Sequence, residues 1–129
     1  MKLLIFIALL LSTLYGSDLD WLHDYDAALK QAKKEKKSVY LFIGADVCVW
    51  CDKFKKMTLS DKSVMKKLRE DYILLYMSRD RHKIPSGFIV KGVPRHYFLT
   101  SEGKVIHEDR GSREIDGFMG MLDEVSLKK

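Results

Sequence analysis

The chain is poor in cysteine and in proline, with two of each in 129 residues. Two cysteines cannot build the framework of a disulfide-dense mini-protein, and without a His/Cys cluster they cannot close a four-ligand zinc site. An excess of one charge is also missing. The 23 Lys and Arg stand against 18 Asp and Glu, for a net +5, and the basic residues are not gathered into one long run. Nothing in that pattern points to nucleic acid as a partner. Repeats, linkers and low-complexity tracts are absent. With 47% hydrophobic and 32% charged residues, the chain is neither disordered nor fibrous, and its length suits one domain rather than two.

Long apolar runs are scarce as well. One stands at the start, where Lys2 precedes Leu3 to Leu11, followed by Ser12, Thr13 and a small-residue exit at Gly16 and Ser17. A positive start, an apolar centre and a small exit predict a signal peptide over residues 1–16, leaving a single domain over residues 17–129. The run ends by Tyr15, short of the roughly 20 residues a spanning helix needs. An uncleaved N-terminal anchor is the alternative. No Cys follows the run to accept a lipid. Either way the folded part is expected in the periplasm or otherwise exported, where thiols tend to be oxidised.

The rest reads as alternating α and β. Leu19, Leu22, Tyr25, Leu29 and Ala32 recur at helical spacing, predicting an amphipathic helix over Asp18–Lys37 whose Lys-rich end is solvated. Ser38–Ile43 is short, apolar and rich in β-formers, so a buried strand is expected there. A helix is predicted over Cys48–Met57, another from a Ser60 cap to about Arg69, and a second apolar strand over Tyr72–Met77. Residues 79–91, interrupted by Pro85 and Gly87, are expected to form a loop. Tyr97–Thr100 and Val105–His107 flank a hairpin turn at residues 101–104. Ser112 is placed as the cap of a last helix with Ile115, Phe118, Met119, Leu122 and Val125 on its apolar side. Met57 and Met119 are assigned to helix core positions, and His23, His82 and His107 to the surface. The order implies an α/β domain, a central mixed sheet flanked by helices on both faces.

The chemistry gathers at one strand-to-helix turn, Ala45-Asp46-Val47-Cys48-Val49-Trp50-Cys51. Thiols at i and i+3 near a helix start lie on one side of its first turn, close enough to bridge. The helix N-terminus offers unpaired N–H groups and partial positive charge, which favour a thiolate at Cys48 over Cys51. Cys48 is therefore the expected nucleophile, and Cys51 the residue that resolves the mixed disulfide. A purely structural bridge is disfavoured, because closing three residues restricts the unfolded chain little. A Cu(I)-binding pair stays open, although no third ligand lies nearby in sequence.

These residues carry a resemblance. The turn, then Phe54, Lys56, Thr58, Ser60-Asp61 and Val64, and finally Gly92-Val93-Pro94 with Glu102-Gly103-Lys104, resemble thioredoxin-fold thiol–disulfide oxidoreductases. The likeness is to the periplasmic C-terminal domain of the transmembrane thiol reductase DsbD and to free-standing exported thioredoxin-like proteins, and it spans roughly Asp18 to Val125. It implies a thioredoxin fold, a cis Val93–Pro94 bond beside the cysteines, and a substrate groove that includes Val93 and Pro94. A proline simply opening a strand is the alternative. The resemblance also implies a redox-active disulfide and no cofactor.

The departures from the family pattern are informative. Phe42 stands where many thioredoxins carry a buried acid, so proton transfer at Cys51 falls to water, Asp46 or another carboxylate. Trp50 lies between the cysteines, either packing on adjoining loops or meeting a partner. No His occupies the intervening pair, which leans toward a reductase. Of Arg95 and His96, one should face the cysteines, and Arg95 is a candidate for lowering the Cys48 pKa. Two functions remain. One is an exported oxidoreductase that reduces disulfide-containing exported proteins, draws electrons from a membrane thiol reductase, and acts as a monomer without nucleic acid. The other is a non-catalytic Cu(I)-binding or chaperone-like module.

Overall fold

The computed structural model describes residues 20–129. The expected signal peptide over residues 1–16 lies outside the described residues, as do Asp18 and Leu19. Nine elements follow in chain order: β1 (Trp21–Leu22), α1 (Tyr25–Glu35), β2 (Ser38–Gly44), α2 (Val49–Met57), α3 (Lys62–Asp71), β3 (Tyr72–Ser78), β4 (Arg95–Leu99), β5 (Val105–Arg110) and α4 (Ile115–Ser126). They form one five-stranded sheet in the order β1-β3-β2-β4-β5. β1 and β2 run parallel to β3, while β4 is antiparallel to β2 and β5 to β4. The expected mixed sheet with cover on both faces is what forms.

The two central strands are apolar throughout because both of their faces are covered. Tyr40 and Phe42 join Phe98 beneath α2, α3 and α4, in a core with Phe54, Leu68, Phe118 and Leu122. Val39, Leu41 and Ile43 join Tyr97 and Leu99 on the other face, covered by Ala28 and Ala32 of α1 and by Ile84, Phe88 and Val90 of the connecting loop. Three helices therefore cover the face that carries α2, and a helix plus a loop covers the other.

Four local expectations are corrected. The helix expected over Asp18–Lys37 begins at Tyr25, because the Asp24 side chain accepts a hydrogen bond from the Ala27 N–H at 2.8 Å and caps it there. Trp21 and Leu22 pair instead with Leu74 and Leu75 at the sheet edge. α3 is capped by Asp61, whose carboxylate accepts from the Val64 N–H, while Ser60 donates back to the Lys56 carbonyl. α4 starts at Ile115 rather than after Ser112. The Arg113 carbonyl accepts from Thr58 Oγ1 at 2.5 Å, and its guanidinium grips Asp109, so the chain stays extended to Glu114. Finally, Met57 and Ile115 are exposed, and Met121 takes the buried position on α4.

Candidate active site

The parallel neighbours β2 and β3 finish side by side at the same end of the sheet, and the short turn Ala45–Val47 carries the chain from β2 into α2. That turn is pinned from the β3 side. The Asp46 carboxylate accepts from Ser78 Oγ at 2.8 Å and from Arg81 Nε at 2.6 Å, and the Asp46 N–H donates to the Asp80 carboxylate at 2.8 Å. The hydrogen bonds from Ser78 and Arg81 hold the Asp46 carboxyl below its ordinary pKa. Asp46 is thus committed to the loop after β3, and none of its hydrogen bonds reaches a sulfur.

Cys48 is the N-cap of α2. Its backbone is extended, its carbonyl accepts the first helical hydrogen bond from Asp52, and its Sγ accepts the Cys51 N–H at 3.1 Å. A sulfur here takes the place of a capping hydroxyl or carboxylate. The two sulfurs are bonded, with Cα atoms 5.2 Å apart. Their surroundings differ. Cys51 is 0% exposed and packs into the core with Phe42 and Phe54. Cys48 is half-buried, and its Sγ lies 3.9 Å from the Val93 carbonyl oxygen. The Val93–Pro94 bond is cis, and Pro94 is buried.

Around Cys48 the surface is apolar. Val47 is 91% exposed, Val49 76% and Trp50 59%. Lys53 Nζ sits 5.1 Å from the centre of the Trp50 ring and braces its indole.

Strand alternation separates Arg95 from His96. His96 enters the core under α2, 4.9 Å from the Phe54 ring centre and stacked on Phe42 and Tyr40. Its Nε2 donates to the Gly111 carbonyl at 2.8 Å, since a carbonyl can only accept. Its Nδ1 then accepts from the Tyr40 hydroxyl at 2.7 Å. Burial pushes the His96 pKa down to about 4, against the partial support of the Gly111 hydrogen bond. The imidazole is therefore neutral at physiological pH. Arg95 turns to the opposite face, and its Nε donates to the Lys91 carbonyl at 2.8 Å.

The structure thus gathers Cys48, Cys51, Trp50, Val93 and Pro94 at one end of the central strands, with Asp46 anchoring the turn. Sequence reasoning passed over Tyr40 and Gly111, whose contacts with His96 depend on the β2–β4 register and on the end of β5. Among the described residues no group of three or more His, Cys, Asp or Glu is placed to hold a metal. Likewise, no helix among them is long and apolar enough to cross a membrane.

Comparison with known proteins agrees with this geometry. Residues 20–101 match a family model described as thioredoxin-like. The thiol:disulfide interchange protein DsbD of Actinobacillus pleuropneumoniae is 30% identical over 102 residues, covering 74% of this chain and 18% of that protein. Anterior gradient protein 2 homolog of Homo sapiens is 32% identical over 92 residues, covering 69% of this chain and 50% of that protein. The chain thus spans half or less of the length of these two relatives. Among solved structures, a thioredoxin from Thermus thermophilus superposes with a TM-score of 0.71 at 25% identity, covering 84% of this chain and 87% of that one. The oxidised C-terminal domain of Neisseria meningitidis DsbD superposes with a TM-score of 0.62 at 20% identity, covering 76% and 90%. This chain belongs to the thioredoxin-like family: it has the α/β thioredoxin fold of the thiol–disulfide oxidoreductases, with a bonded Cys48–Cys51 pair at the start of α2.

Proposed function

We propose that the protein is an exported thiol–disulfide oxidoreductase that works as a reductant. The observation that carries this reading is the asymmetry of the pair. Cys48 is half-buried and accepts a backbone N–H at a helix start, whereas Cys51 is sealed beneath it. An N–H aimed at sulfur favours its thiolate, so Cys48 is the attacking group. In the reduced protein, the Cys48 thiolate attacks one sulfur of a partner disulfide, forms a mixed disulfide and expels the partner's other sulfur as a thiolate. The Cys51 thiolate then attacks Cys48 Sγ and frees the partner's second sulfur. One dithiol and one disulfide have exchanged two electrons, and the Cys48–Cys51 bond has formed.

The Val93 backbone beside Cys48, the Pro94 ring and the outward Trp50 are the substrate-contacting groups in this scheme. An extended partner segment lies along the Val93–Pro94 backbone, with Trp50 on its flank. Proton traffic at Cys51 passes through water, because Phe42 packs in the core with it, both ring nitrogens of His96 are already hydrogen-bonded, and Asp46 is engaged elsewhere. A membrane thiol reductase supplies electrons to the spent monomer, whose pair holds two. The N-terminal apolar run and the likeness to DsbD support export and this donor.

A Cys51→Ser variant should accumulate partners as adducts that dithiothreitol releases, and Cys48→Ser should accumulate none. Lack of adducts together with lack of disulfide reduction overturns the reading. Equilibration against glutathione sets the direction: a potential near thioredoxin's, about −270 mV, supports reduction, and one near −120 mV makes the protein an oxidant.

A further inference from the structure

In the β4–β5 ladder Arg95 lies directly opposite Arg110. Like charges at opposed ladder positions repel. Neither guanidinium has a carboxylate within ion-pair distance among the described residues, whereas Arg69, Arg81 and Arg113 are paired with Asp20, Asp46 and Asp109. Glu108, two residues before Arg110 on the same strand face, also stays beyond that distance.

Both side chains converge on one backbone point. A Cβ at Gly92 would lie 3.3 Å from Arg110 Cδ, 3.5 Å from Arg95 Nη2 and 3.8 Å from Arg110 Nη1. Gly92 holds a φ of 67° in the left-handed region, where glycine is favoured. It directly precedes Val93, whose carbonyl oxygen lies against Cys48 Sγ. The end of β5 is tied to the same turn, since the Gly111 N–H donates to the Pro94 carbonyl at 2.8 Å. Two unneutralised guanidiniums thus stand at the rim of the turn along which the proposed substrate segment runs.

We propose that Arg95 and Arg110 form a carboxylate clamp, and that the favoured partners carry an Asp or Glu side chain a few residues from the cysteine that Cys48 attacks. The inference rests on the exchange reaction proposed above and adds a substrate class to it. A guanidinium fork matches a carboxylate in shape and charge, and a basic rim steers an acidic segment into the groove. Binding such a segment also relieves the cross-strand repulsion.

The test uses the reduced full chain and disulfide peptides that differ at one flanking position, Glu, Gln or Lys. All are acetylated and amidated, so that only a side chain offers a carboxylate. The measured quantity is the ratio of exchange rates. The Glu peptide should react about tenfold faster than the Gln peptide at low ionic strength, and the Lys peptide slower than both, with the ratio collapsing toward one in molar salt. Arg110→Gln should lower the Glu:Gln ratio, Arg110→Glu should invert it, and Arg110→Lys should retain part of it. Equal rates for Glu and Gln peptides, or a ratio that survives both Arg110→Gln and Arg95→Gln, overturn the clamp while leaving the exchange reaction intact. If no peptide is reduced, the exchange reaction and the clamp both fall.

Discussion

On the outer side of the turn into α2 and of its start, Val47, Val49 and Trp50 are 91%, 76% and 59% exposed; on the inner side of the helix Cys51 and Phe54 are 0% exposed. The inner residues satisfy the fold. Phe54 packs edge-on to Phe42 and Phe118 at 5.4 and 5.2 Å between ring centres. The outer residues join neither core cluster, and large apolar side chains left in water add little to stability. The helix and the turn that leads into it therefore have one side built for the domain and one side left for something that docks beside Cys48. Substitutions should separate the two sides cleanly.

The largest effect belongs to the inner side. Phe54→Ala removes a ring that also meets His96 at 4.9 Å and leaves a cavity beneath Cys51. It should destabilise the domain by about 3–5 kcal/mol, read as a drop in the urea midpoint. A loss below about 1 kcal/mol would mean that the inner side is not the structural one.

The next effect is a pH dependence from the same side. His96 takes a proton at about 4 when folded and at its ordinary 6.5 when unfolded. Between those values the unfolded state binds more protons, so stability falls as pH drops through that window, by up to about 3 kcal/mol. Above the upper value both states are neutral there and this contribution is flat. Urea titrations from pH 7 to 4 should show the slope, and His96→Gln should flatten it. A slope unchanged by the substitution would assign it to the carboxylates instead. The neighbouring Asp109, paired with Arg113, titrates below this window because its pKa lies under the ordinary 3.8.

The contrast between the two sides was only half legible in the sequence. β2 and β3 could be read because strands covered on both faces are apolar at every position, and the Cys48–Cys51 spacing could be read because i and i+3 share a helix side. β1 could not. Trp21 and Leu22 form a two-residue strand whose spacing to Tyr25 mimics a helical stripe, and only pairing with Leu74 and Leu75 distinguishes it. The caps were misplaced by one or two residues, as with Ser60 and Asp61, because adjacent polar residues compete for the same N–H groups. His96 and Arg110 lie 14 positions apart, and what each does depends on strand register. Register sends His96 inward to Tyr40 and Phe54 and sets Arg110 beside Arg95, and no local pattern encodes either outcome.

The smallest effect on stability should come from the outer side, and it is the sharpest test of the comparison. Trp50→Ser removes a ring braced by Lys53 but held by no core contact. Unfolding free energy should change by no more than about 0.5 kcal/mol, the range of surface substitutions. Exchange with a folded protein disulfide should nonetheless slow about tenfold, because an exposed tryptophan beside the nucleophile is the kind of anchor that dominates an interface. Exchange with a small disulfide such as hydroxyethyl disulfide, which is too short to reach Trp50, gives the control. A slowing confined to the protein substrate assigns the outer side to docking. Equal slowing for both would mean that Trp50 acts on the Cys48 thiolate itself, and the two sides of the turn would then share a single task.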